Sequence, residues 1–277
     1  MNLTLFNAVS FIYIFCTALY FCNLFFKTEK IGRAATLTTC VAFALHSAAF
    51  LVRWYETYKL GYGHLHIVTL YESLVLVGWA IAGAYLFLEW RIRVKTLGVV
   101  VLPVVTAIMI YASLSAVVDE SIFPVPEVLQ GNFYHYHVVT CFFAYGAFTL
   151  SLGASILYII ACRKKQQALP TLFPSAEVLD NIMYKSIAVG FVFFNIQMVT
   201  GMFRTQIIWG SYWQWDPTQV FGLLTWLLYA TILHGRYMKW WGGTQTAILS
   251  ILGFITCVLG FLIASGKMLN TGHYPIL

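Results

Sequence analysis

Two kinds of side chain in this sequence could do chemistry: scattered imidazoles and one dense cluster of indoles. Seven histidines occur, His46, His64, His66, His135, His137, His234 and His273. A neutral imidazole ligates transition metals through either ring nitrogen. The stretch Trp209-Gly-Ser-Tyr-Trp-Gln-Trp-Asp-Pro217 packs Trp209, Tyr212, Trp213 and Trp215 into seven residues and ends on Asp216-Pro217. Flat apolar rings interleaved with short polar groups suit a surface that holds a flat, apolar ligand with charged edges. Two imidazoles on opposite faces of such a ligand could take both axial positions of an iron at its centre. The plain alternative is an aromatic belt, because Trp and Tyr collect at membrane–water boundaries without any ligand.

The elements that must position these residues are membrane helices. The chain has 277 residues, 60% hydrophobic and 9% charged, against roughly 25% charged residues in an ordinary soluble domain. A span needs about 20 mainly apolar residues, since backbone groups in lipid must be satisfied within the helix. Eight stretches qualify, at roughly 3–26, 34–54, 65–89, 96–118, 135–162, 182–207, 217–236 and 244–266. The expected fold class is therefore all-α, a polytopic integral membrane bundle of about eight transmembrane helices. No repeat or soluble segment interrupts it, so 1–277 reads as a single membrane domain. The first apolar run is as long as a span and meets a basic loop, which argues against a cleavable signal. The net charge of +6 needs no nucleic-acid partner, because the basic residues sit in short loops. Six cysteines lie in or at the ends of apolar runs with no Cys-x-x-Cys pair. No disulfide, zinc site or covalent heme attachment is expected from them.

Charge sets the expected orientation. Twelve of the sixteen Lys and Arg residues fall in or beside the loops after the first, third, fifth and seventh spans. The positive-inside bias puts those loops in the cytoplasm and both termini on the non-cytoplasmic side. It also puts the tryptophan stretch outside, as an external loop at about 203–219. His137 opens the fifth span on that outer face, and His273 follows the eighth on the same face. With the aromatic loop lying between them in sequence, His137 and His273 are candidate axial ligands of an outer heme. His46 and His234 lie within spans two and seven. At 1.5 Å per residue His234 is roughly 25 Å below the start of its span and His46 roughly 18 Å above the inner end of its own. They are candidates for a second, membrane heme. Arg204 could clamp a propionate, since guanidinium matches carboxylate bidentately. Glu72, about one turn into span three, needs a partner: a histidine nitrogen, Arg53 or Arg204. Glu72 and His64 are read as residues behind the ligands.

The order of residues resembles a known family, the CcsA (or ResC) type of cytochrome c assembly protein. Trp209-Gly210, Trp213 and Trp215-Asp216-Pro217 match its tryptophan-rich motif. Leu-Leu-Thr-Trp226 and Leu-His234-Gly-Arg236 match the span that follows. His137-Val138, His273 and His46 match its external and early membrane histidines, and Gly63-His64 with Tyr71-Glu72-Ser73 resembles its entry to the third span. The resemblance implies heme b as cofactor, held inside by His46 and His234 and outside by His137 and His273. It implies presentation of that heme for thioether attachment to the Cys-x-x-Cys-His of an apocytochrome c, and work beside a CcsB-like membrane protein. The chain would then be a possible holocytochrome c synthase component in a bacterial cytoplasmic or thylakoid membrane. Three places depart from the pattern: Thr218-Gln219 stands where Lys-Glu is usual, Phe203-Arg204 where Trp-Ala often precedes the motif, and His66 and Thr69 where Pro and Asn are usual.

Two other readings use the same residues. A CcmC-like protein would deliver heme to a heme chaperone, but it usually has fewer spans and lacks the pair His46 and His234. A b-type electron carrier would hold heme permanently between histidines at like depths in facing helices. A transporter or scaffold without heme is a third.

Overall fold

The computed structural model describes residues 2–62, 69–124, 132–163 and 173–270. Its long elements are eight α-helices: α1 (Asn2–Phe26), α2 (Glu29–Lys59), α3 (Leu70–Ile92), α4 (Gly98–Leu114), α5 (Asn132–Arg163), α6 (Ala176–Trp209), α7 (Pro217–Tyr237) and α8 (Gly243–Asn270). A 3-10 turn, Lys95–Leu97, leads into α4. No strand occurs among the described residues. Seven of the helices are long and apolar enough to cross a membrane, by length and composition. The eighth, α7, has 21 residues, about 31 Å of rise, and its Thr218, Gln219, His234 and Arg236 dilute its hydropathy. Large apolar side chains such as Phe11, Phe25, Trp90 and Ile207 face outward, as helices do whose solvent is lipid.

Helix ends overrun the apolar runs where polar residues can extend a turn. Helix α2 begins at Glu29, five residues before the expected span, and Glu29 pairs with Arg33 one turn on at 2.6 Å. Helix α6 begins at Ala176, six residues before the expected span, because the Ser175 side chain accepts the Val178 N–H and caps it. Helix α4 stops at Leu114, four residues early, where Ser115 turns extended.

The helices group in two compact units, α1–α4 and α5–α8. In the first, α1 packs on α2 and α4, and α3 packs on α4. Charged groups are buried near both of its ends. At one, Arg53 donates to Glu72 Oε1 through Nε at 3.0 Å and Nη2 at 2.8 Å, and to the Asn2 side chain and the Glu120 and Ser121 carbonyls. The two side chains of that pair are 3% and 0% exposed. Glu72 also closes a capping box with Thr69 at the start of α3. At the other end, Glu89 accepts from the hydroxyls of Tyr20 and Tyr85, each at 2.6 Å, and from Thr36.

In the second unit α5 and α6 run antiparallel along most of their lengths, and α8 packs on both α5 and α7. Its waist is a stack of flat groups. The rings of Phe148 (α5) and Tyr229 (α7) lie 3.9 Å apart at 9°. Gly190 on α6 and Gly253 on α8 leave room for them. A Cβ on Gly190 would stand 2.6 Å from the Phe148 ring, and one on Gly253 3.0 Å from that of Tyr229. Away from the waist, Arg236 of α7 grips Asp180 of α6 through two nitrogens, at 3.1 and 2.6 Å.

Candidate functional site

The tryptophan stretch is a helix–turn–helix corner at one end of the second unit. Helix α6 continues through Phe203 to Trp209, so only 210–216 is irregular within the expected loop 203–219. Gly210 ends the helix in the left-handed conformation, φ +68°, which costs a residue with a Cβ and costs glycine nothing. Asp216 starts α7, its carboxylate accepting the Thr218 N–H at 2.8 Å. Pro217 takes the first helical position, where its missing N–H is no loss. Three residues of the stretch thus serve the backbone. The aromatic residues are left to face outward: Trp215 is 82% exposed, Tyr212 50% and Trp209 48%. Trp213 meets Trp215 edge-on at 5.5 Å, and Tyr212 meets Phe203 edge-on at 5.8 Å.

The start of α5 lies at the same end. Phe133 stacks on Phe203 at 5.2 Å, and the Arg204 guanidinium sits 4.9 Å over the Tyr134 ring. His137, one turn after Tyr134, faces α6. Its Nδ1 lies 2.8 Å from the Gln197 carbonyl oxygen. A carbonyl can only accept, so Nδ1 carries the proton and the neutral ring keeps its lone pair on Nε2. Ligating histidines are held in this way by a partner behind them. Gly201 makes the approach possible, since a Cβ there would stand 2.9 Å from Nδ1 and 3.0 Å from Cε1.

His46 lies in the first unit and is fully buried. Its ring stacks on Phe50 at 5.3 Å and meets Phe6 and Tyr13 edge-on at 5.7 and 5.9 Å. Nδ1 is 3.3 Å from the Tyr13 hydroxyl, and Nε2 is buried without a hydrogen-bond partner. His234 is exposed in the last turn of α7, toward the Arg236 end of the second unit, with Trp240 edge-on at 5.5 Å. Glu72 has Arg53 as its partner, one of the three candidates. His273 and His64 lie outside the described residues.

The second unit therefore gathers His137, Arg204, Trp209, Gly210, Trp213, Trp215, Asp216 and Pro217 at one end. Sequence reasoning missed Tyr134, Gln197, Gly201, Thr205 and Gln219 there. A helical stripe was the available signal: Gln197, Gly201 and Arg204 recur at spacings of four and three, one face of α6.

Residues 67–268 match the family model described as "Cytochrome C assembly protein". Proteins named "Cytochrome c biogenesis protein CcsA" are similar along most of their length. One from Trieres chinensis is 31% identical, covering 92% of this chain and 92% of its own. One from Guillardia theta is 28% identical, with 92% and 91% covered. One from Microcystis aeruginosa is 30% identical, with 80% and 83% covered. A solved structure, "Cytochrome c Heme Lyase CcmF", shares the fold at a TM-score of 0.67 and 17% identity, over 99% of this chain. The present chain spans about half of that protein, 51% of its length. With a family match over most of its length and apolar helices throughout, this chain is a multi-pass membrane protein of the cytochrome c assembly family.

Proposed function

We propose that the aromatic end of the second unit binds heme b and presents it to apocytochrome c, with His137 as one axial ligand and His273 as the other. The family places the chain in cytochrome c biogenesis, where heme is handled and other membrane components and apocytochrome c take part. The observation that carries the heme reading is the His137 Nδ1 bond to the Gln197 carbonyl, 2.8 Å. It turns a histidine at a helix start into a ligand of fixed tautomer.

Other features support it. Trp209 and Trp215 offer exposed rings and Trp213 a half-buried one to a porphyrin face, and Arg204 offers a guanidinium to a propionate. Gly210, Asp216 and Pro217 hold the corner that displays the rings. Gly201, level with His137, precedes Trp209 by eight residues, about 12 Å of helix, which is within the breadth of a porphyrin. Heme itself supplies two vinyl groups. Adding a thiol S–H across a vinyl C=C bonds sulfur to one carbon and hydrogen to the other, with no leaving group and no net electron transfer. The work left to the protein is to hold both partners in register and exclude water. His46 and His234 are proposed as membrane heme ligands, Glu72 and His64 as supports, and a CcsB-like protein as the partner in forming the thioether.

The test is the absorption spectrum of purified protein. His137→Ala removes the heme that His137 ligates while the protein stays inserted, and His273→Ala does the same. His46→Ala and His234→Ala remove a spectrally distinct heme. Full heme content in both His137→Ala and His273→Ala would overturn the reading of the outer site. Retention of heme by the wild type when an apocytochrome is offered would make it a carrier instead.

A further inference from the structure

Two bonds that tie the aromatic corner to α6 are made by Gln219, which lies outside the tryptophan motif. Gln219 sits in the first turn of α7. Its Oε1 accepts the Gln214 backbone N–H at 2.8 Å, and its Nε2 donates to Thr205 Oγ1 at 2.9 Å. The backbone N–H can only donate, so the amide must turn its oxygen to Gln214 and its NH2 to Thr205. Thr205 is 9% exposed, and its own hydroxyl donates to the Gly201 carbonyl at 2.9 Å. Gly201 is the residue against which the His137 imidazole lies. The donors thus run in one direction, from Gln214 to Gln219 to Thr205 to the α6 turn that seats His137. Ser211 Oγ bonds the Trp213 backbone, and Asp216 caps α7.

We propose that Gln219 and Thr205 are positioning residues: together they hold the indole-bearing corner in register with His137, so that ring faces and axial ligand meet one substrate. Neither need touch that substrate. An amide suits the place because it accepts on one side and donates on the other. A carboxylate at 219 could bind both neighbours only if Thr205 turned its hydroxyl away from Gly201. The proposal rests on the heme reading of this end of the unit.

The test compares wild type with Gln219→Ala, Thr205→Val, Thr205→Ser and His137→Ala, all purified as the full chain. Two quantities are read: hydrogen exchange at the Gln214 amide, and the rate and spectrum with which bound heme passes to added apomyoglobin. Gln219→Ala and Thr205→Val are expected to speed Gln214 exchange and heme loss about tenfold each, with an altered ferric heme spectrum. Thr205→Ser, which keeps the hydroxyl, is expected to match wild type in both. His137→Ala is expected to lose the outer heme while Gln214 stays protected. Wild-type exchange in Gln219→Ala would overturn the latch. Fast exchange with an unchanged heme spectrum and off-rate would overturn its coupling to the site. Full heme in His137→Ala would overturn the heme reading and the latch's role in it, whatever Gln214 shows.

Discussion

His46 and His137 are both histidines on long apolar helices, yet their surroundings teach different things. His137 faces a backbone carbonyl, which leaves its proton no choice of nitrogen. His46 faces a phenol, which can donate or accept, so its Nδ1 can be proton-bearing or bare. His137 is half-buried and lies against one glycine of α6, at the end of the unit that carries the aromatic corner. His46 is fully enclosed by Phe6, Tyr13 and Phe50, and its Nε2 is buried without a hydrogen-bond partner. A histidine with a committed tautomer is ready to ligate. One that is sealed among aromatic rings must have its surroundings open first, or gain its ligand from elsewhere in the helix bundle.

The contrast can be broken at three places. The largest effect is expected at Gly201→Ala, whose methyl would press on two ring atoms of His137. The imidazole must leave the Gln197 carbonyl, and heme retention should fall roughly ten- to a hundredfold, the usual loss when a ligand's support is removed. Titration of heme into detergent-purified protein measures it, and wild-type affinity would show that the carbonyl does not matter. Next is Tyr13→Phe, which strips the partner from a fully buried Nδ1. It should lower stability by about 1–2 kcal/mol, read from unfolding in mixed micelles, without changing outer heme. The smallest effect is expected at Gly78→Ala, the counterpart of Gly201 beside His46. A Cβ there would stand 3.1 Å from Met109 Sδ and 3.9 Å from His46 Cε1. The flexible thioether can swing away, so stability should change by less than about 0.5 kcal/mol. A loss of about 1–3 kcal/mol, the usual cost of overpacking, would mean that Met109 cannot give way and that the niche of His46 is rigid.

The helices were legible because lipid demands long apolar runs, and nothing about a neighbour is needed to see them. Glu72 could be seen to need a cation, and Arg53 was among the few within reach, although only packing could choose between it and Arg204. The aromatic corner was visible from its composition. What it was built on was not. From sequence Gly210, Asp216 and Pro217 were expected as ligand contacts; the structure shows them ending α6 and starting α7. The partner of His137 is a main-chain oxygen, and every residue carries one, so no side-chain pattern could name it. Gln219 and Thr205 are fourteen residues apart on different helices, and their pairing depends on how tightly the corner turns. The division of the chain into two units left no sharp break in composition, because long apolar runs dominate both halves.

The stacked rings at the waist of the second unit carry a mechanical consequence. Phe148 and Tyr229 lie face to face with a glycine backing each, so four helices meet there across flat rings. A bundle clamped at that level cannot slide its helices lengthwise without forcing aromatic planes through backbone. The Arg236–Asp180 pair and the aromatic corner lie at opposite ends of the unit, with that clamp between them.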